Sequence, residues 1–305
     1  MKTIDYEGQK IRRWDIGSST YLAWPERGAR LINWNLKYAD NTVRDIIFWP
    51  TNSNLGRTRH IRGGNPILFP FSARTFDRGD IYFWRYGGVR RPMPMHGFAL
   101  DGAFELTEID DTGFSSRFLP EEADREAYPF EYEFVVTYKF RKLSLEVDLQ
   151  LTNRDTQAIP WSPGHHFYFY LPWREGVPRS EYHIDHAAGN AWRHAPDGTL
   201  TPASPFTSPT GFDDPELANR IHTDLGLNPV PFGPRDGSED ILLYIGQGTK
   251  PPQDCALTTW SEAPEAPFYC VEPWMGPPNS PEHKRGFHLV EPGRSETFTV
   301  GIEVT

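Results

Sequence analysis

The chain alternates apolar and polar positions with a period of two along much of its length. Leu143, Leu145, Val147, Leu149 and Leu151 are separated by Ser144, Glu146, Asp148 and Gln150, the pattern of a strand with one face in a core and one in water. The run from Tyr132 to Phe140 is also strand-like, and Arg141 and Lys142 between the two permit a tight hairpin. Phe298, Val300, Ile302 and Val304 repeat the alternation. Further strands are predicted at Thr20–Trp24, Arg30–Leu36, Asp45–Trp49, Phe104–Ile109, Phe114–Leu119, Ile241–Ile245, Ala256–Trp260 and Gly286–Val290. Helical periodicity is scarce. The stretch from Pro215 to Leu227 is the one candidate helix, with Asp213 or Asp214 as its cap and Pro215 in its first turn.

Many strands without interleaved helices predict an all-β protein, a large antiparallel β-sandwich. With no composition shift to mark a linker, residues 1–305 are expected to form a single domain. Asn190 to Gly237, rich in proline and glycine, is expected to be an excursion from that sandwich. The 29 prolines and 26 glycines scattered along the chain suit many short strands joined by turns. A net charge of −10 argues against nucleic acid or an anionic membrane as partner. Cys255 and Cys270 are too few for a disulfide scaffold or a cysteine-built zinc site, and both lie in apolar runs. No secretory leader pattern and no membrane-length apolar stretch is visible, so the expected location is the cytoplasm.

Candidate chemistry gathers in separate segments. Phe268-Tyr269-Cys270-Val271-Glu272-Pro273-Trp274 sets one carboxylate inside an apolar run, followed by Met275-Gly276-Pro277-Pro278-Asn279. A carboxylate that ends up buried needs a partner or a changed pKa; an exposed edge strand is the alternative that local pattern favours. Met95-His96-Gly97-Phe98-Ala99 follows a proline-rich approach, and Gly164-His165-His166-Phe167-Tyr168-Phe169 carries a histidine pair. Successive side chains on a strand point to opposite faces, so His165 and His166 are not expected to share a site. His183 and His186 have the wrong spacing for two ligands on one strand face, so no metal is expected. Ser162 near the histidine pair lacks a Gly-x-Ser-x-Gly elbow.

In this order the three segments resemble the aldose 1-epimerase (mutarotase) family, whose members interconvert the α and β anomers of sugars. The match spans roughly residues 60 to 280. The resemblance implies that Glu272 is the catalytic base and His166 the acid, with Phe167 where relatives usually have proline. It implies that His96 contacts the sugar near its ring oxygen. Ile61-Arg62-Gly63-Gly64-Asn65-Pro66 resembles the family's glycine-glycine-x-proline element, and Arg74 matches a sugar-contacting arginine. Asp240 stands where relatives often place a sugar-binding aspartate, with Glu239 and Asp236 as competitors for the role. Trp274 is a candidate platform for the sugar's C–H groups.

The implied partner is a small-molecule sugar and the implied reaction is acid–base ring opening, for which no cofactor is required. One competing reading is a hexose-6-phosphate 1-epimerase. Residues 57–91 hold eight arginines against Asp77 and Asp80, and Arg62 resembles that branch's phosphate-binding arginine. Leu100, where most of that branch has arginine, argues for a free sugar. Another is a non-catalytic carbohydrate-binding or regulatory module, against which the retained histidines and glutamate weigh.

Overall fold

The computed structural model describes residues 1–204 and 208–305. Among these, one sheet holds thirteen strands and a second holds nine, and the strands pair with antiparallel neighbours throughout. The larger sheet runs in the order Lys2–Tyr6, Gln9–Ile16, Ser19–Trp24, Arg30–Lys37, Val43–Ile47, Tyr168–Tyr170, Phe268–Trp274, Ala256–Trp260, Arg220–Leu225, Ala188–His194, Leu200–Ala203. Two short strands, Ile67–Leu68 and Gly164–His165, join it at Phe268–Trp274. The smaller sheet carries Tyr132–Phe140 beside Ser144–Asn153, which in turn pairs with Ser295–Val304. The architecture is therefore a large antiparallel β-sandwich.

Alternation explains why the sheets meet. Leu145, Val147, Leu149 and Leu151 point inward with Phe298, Val300, Ile302 and Val304 from the paired strand. Leu143 falls instead in the turn and is exposed, because the hairpin closes with the Arg141 amide donating to the Ser144 carbonyl at 2.8 Å. Aromatic rings bridge the layers: Trp14 stacks on Phe114, Tyr21 on Phe140, and Phe69 on Phe134 with centroids 3.9 Å apart. Offset aromatic contacts of this kind add to the apolar burial that drives the layers together.

Two expectations are corrected. The residues from Pro215 form turns and then the strand Arg220–Leu225, not a helix. Asp214 caps a turn through its carboxylate to the Glu216 amide, Asn219 takes a left-handed φ of 57°, and the strand then pairs on both sides. Nor is the region from Asn190 to Gly237 an excursion: its strands extend both sheets. Residues 205–207, inside that region, lie outside the described ones. No helix among the described residues is long and apolar enough to cross a membrane.

Candidate active site

The central seam of the larger sheet fixes where the candidate side chains point. Tyr168 pairs with Cys270, and Gly164 with Trp274, which sets His166 across from Glu272. On the other flank Glu272 pairs with Thr258. Alternation then divides the segment. Tyr269 and Val271 enter the core between the sheets, whereas Glu272 and Trp274 line a cleft of about 1210 Å³ on the opposite face. His165 and His166 part in the same way: His165 stacks on Phe167 and Phe298 in the core, and His166 stacks on Tyr168 in the cleft.

His96 reaches the same cleft from a loop. Its φ is +64°, and the following Gly97 is also left-handed at +69°. A Cβ on Gly97 would lie 1.9 Å from the Phe69 carbonyl oxygen, so glycine is required for the loop to dock. The docked loop pins the imidazole: Nδ1 of His96 accepts from the Ala73 amide at 3.1 Å. With Nδ1 an acceptor, the ring proton sits on Nε2 and His96 is a neutral donor. Burial, with Arg59 and Arg74 nearby, pushes its pKa down to about 3, which keeps it neutral.

Nε2 of His166 and Oε2 of Glu272 are 3.5 Å apart, too far for a good direct hydrogen bond and near enough for a hydroxyl to bridge them. Glu272 is only 2% exposed, and its Oε2 has no hydrogen-bond partner among the described residues. Burial raises the Glu272 carboxyl well above the ordinary range, the Trp274 indole opposing it. Burial also depresses His166, with His96 and Arg30 acting in the same direction. The imidazoles of His96 and His166 lie 5.4 Å apart, centroid to centroid. Burial with polar atoms left unbonded is unfavourable in a resting fold, and both residues border a cleft able to take a polar ligand.

The remaining candidates divide. Arg74 lines the cleft, exposed and without an ion pair among the described residues. Trp274 lines its floor, donating Nε1–H to the His165 carbonyl at 3.2 Å. Arg62 also lines the cleft but is paired with Glu262 and lies over the Trp260 ring at 5.6 Å. Asp240 must be corrected: it does not line the cleft. It immediately precedes the strand Ile241–Ile245 of the smaller sheet, with its carboxylate packed beside Gly233. Its competitors are elsewhere too, Glu239 bound to Arg44 and Tyr38, and Asp236 to Arg174.

The sequence profile of the family described as aldose 1-epimerase matches residues 14–210, which include His96 and His166. The chain belongs to the aldose 1-epimerase family. Glu272 lies beyond the matched span, and the fold brings it to the two histidines. Among relatives, the chromosomal LacX protein of Lactococcus lactis subsp. lactis is 26% identical over 232 residues, 70% of this chain and 74% of that protein. Among solved structures, a galactose mutarotase related enzyme from Lactobacillus acidophilus superposes with a TM-score of 0.78 at 20% identity, covering 97% of each chain. A galactose 1-epimerase from Lactobacillus acidophilus NCFM gives 0.71 at 13%, covering 100% of this chain and 98% of its own. These similarities establish a shared fold, and family membership supports a mutarotase-type isomerase acting on a sugar.

Some cleft residues of this aldose 1-epimerase family chain carried no sequence signal. Arg193, His194, Asn219, Thr258 and Trp260 all line it, the first three from the region read as an excursion. Asn65 was legible only as part of a glycine-rich element. In the fold its Oδ1 accepts the His166 amide at 3.2 Å, while Nδ2 reaches Tyr138 Oη at 2.8 Å and His165 Nδ1 at 3.1 Å. One amide thus holds the backbone where the two histidines diverge.

Proposed function

We propose that the protein is an aldose 1-epimerase, interconverting the α and β anomers of a hexose by acid–base opening and closure of the ring. The observation that carries this reading is the buried pair of Glu272 and His166, 3.5 Å apart and bordering the cleft. Glu272 takes the proton of the C1 hydroxyl while His166 gives one to the ring oxygen. The C1–O5 bond breaks, the C1–C2 bond rotates, and the ring closes on the other face of the aldehyde with the roles reversed. His96, a neutral Nε2–H donor, hydrogen-bonds the ring oxygen and steadies the charge that gathers there.

The directions of the pKa shifts fit this chemistry. Burial favours the carboxylic acid of Glu272 and the neutral imidazole of His166. That resting pair and the reactive pair, carboxylate with imidazolium, hold the same number of protons. Transfer of one proton across the pair converts one into the other, so the site needs no proton from bulk water. A bridging sugar hydroxyl provides the path, and such paired transfers contribute ~10²–10⁴-fold each.

A second reading, of a sugar carrying an anionic group, has its own support. Arg59, Arg62 and Arg193 are engaged by Asp101, Glu262 and Glu216, but Arg57 and Arg74 line the cleft with no acidic partner among the described residues. The anion would therefore be read by Arg57 and Arg74 and not by Arg62.

Anomerisation rates over a panel of free and 6-phosphorylated hexoses, corrected for spontaneous mutarotation, test both. Acceleration of a free hexose is expected. Preference for a phosphorylated hexose, lost in Arg74→Ala, would favour the second reading. Sugar binding without acceleration would replace both with a non-catalytic binding module.

A further inference from the structure

Alternation brings one more group to the Glu272 face of the seam. Cys270 precedes Glu272 by two residues on the strand Phe268–Trp274, so their side chains leave the same face. Cys270 is fully buried under Tyr168 and Phe268 and forms no disulfide. A ring nitrogen of His166, the Cys270 sulfur and a Glu272 carboxylate oxygen all lie within 4.8 Å of one another. Nothing in the proposed epimerisation uses the thiol.

The structure assigns His166, Cys270 and Glu272 as a three-ligand site for a soft divalent cation of the zinc class, whose occupation blocks the acid–base pair. Nitrogen, thiolate sulfur and carboxylate oxygen are the donors that zinc takes, commonly three from the protein with water in a fourth, open position. Bond lengths of about 2.0–2.3 Å in a tetrahedron require donor–donor edges of roughly 3.3–3.7 Å. The imidazole and carboxylate already stand 3.5 Å apart, and from separations within 4.8 Å the sulfur must move in by at most about 1.5 Å. Oε2 of the nearly buried Glu272 has no hydrogen-bond partner among the described residues, so a cation would displace none there.

Charge and donor type supply the selectivity. On binding, the thiol and carboxyl protons leave to solvent, and thiolate with carboxylate balances the doubly charged ion. A neutral complex is what a site this buried tolerates. Magnesium and calcium would be rejected, because they require a shell of oxygens and the trio offers one carboxylate.

The existence of the site rests on geometry alone, and only the inhibition rests on the proposed epimerase activity. The test uses the full chain titrated with cadmium, which reports a bound thiolate by its ultraviolet charge-transfer absorption. One equivalent should saturate the band in the wild type and in Cys255→Ser, and zinc, but not magnesium, should displace it. Cys270→Ser should lack the band, and Glu272→Gln, which keeps the thiol, should bind at least about tenfold more weakly, since even outer-shell partners are worth ~10–100-fold. In anomerisation assays stoichiometric zinc should inhibit the wild type, whereas Cys270→Ser should keep its basal rate and need at least about tenfold more zinc for inhibition. A wild type without the band overturns the site, whether or not the protein epimerises any sugar. A band accompanied by undiminished anomerisation overturns the blockade. If no sugar is epimerised, the activity reading falls and the cadmium band alone decides the site.

Discussion

The two faces of the strand Phe268–Trp274 are built by opposite rules. Toward the smaller sheet, Tyr269 and Val271 are surrounded by apolar neighbours. Toward the cleft, one residue beyond Val271 on the same backbone, Glu272 is almost as deeply buried and its Oε2 lacks a hydrogen bond among the described residues. The histidine pair repeats the contrast, with His165 tied to Asn65 in the core and His166 poised opposite Glu272. Burial by itself therefore does not separate architecture from function in this sheet. What separates them is where the buried polar group stands: Glu272 and His166 border the cleft, whereas His165 and Tyr269, inside the core, carry polar atoms left unbonded among the described residues.

The largest expected effect would break that contrast outright. Glu272→Gln keeps the shape and removes the proposed base, so kcat should fall ~10²-fold or more with KM little changed. His166→Asn should behave alike, and the double variant should be scarcely worse than either single one, because the proposed exchange uses both groups at once. Steady-state anomerisation kinetics check this, and retained turnover in either single variant would sever the cleft face from catalysis. Next in size is Gly97→Ala. Its methyl would meet the Phe69 carbonyl at 1.9 Å in a left-handed backbone, so denaturant unfolding should show a loss of about 1–3 kcal/mol, with His96 displaced from the cleft.

His165→Leu sharpens the same contrast from the core side. Stability should fall by about 1–3 kcal/mol, while kcat per folded molecule should hold. Its pH dependence is also specified. Burial lowers the His165 pKa from 6.5 to about 3, so the unfolded chain binds the proton and the fold does not. Wild-type stability is therefore lost as pH falls from 6.5 toward 3, and the leucine variant should lack this component. Glu272 titrates with the opposite sign. Its folded pKa is raised, so wild-type stability should decline as pH rises above the ordinary carboxyl value of 4.5. Glu272→Gln should flatten that slope in pH-dependent melts. Smallest is Arg62→Ala: the Arg62–Glu262 pair is about half exposed on both sides, and such pairs contribute ~0–1 kcal/mol.

The sequence made the strands legible because period-two alternation is local and strong; Ile241–Ile245 and Ala256–Trp260 stand where alternation set them. The parting of His165 from His166 was legible for the same reason. The Pro215 region misled because capping and proline signals are also local, while the pairing of Arg220–Leu225 with Ala256–Trp260 is not. Asp240 misled differently: its neighbouring strand was found, but nothing in one strand's pattern says which sheet it joins. The hub role of Asn65 required three partners from distant segments, which no spacing reveals.

One feature of the smaller sheet bears on how such a protein is made. The strand Ser295–Val304, which follows every other strand in sequence, lies between Ser144–Asn153 and Ile241–Ile245. During synthesis its two neighbours must wait with their facing edges unpaired until it arrives, and exposed edges of that kind invite pairing with other chains. A nascent chain halted after Glu272 would already hold His96, His166 and Glu272 yet leave that sheet open down its middle. Possession of the chemistry and possession of a working enzyme are thus separated by about thirty residues of translation, a few seconds at typical rates.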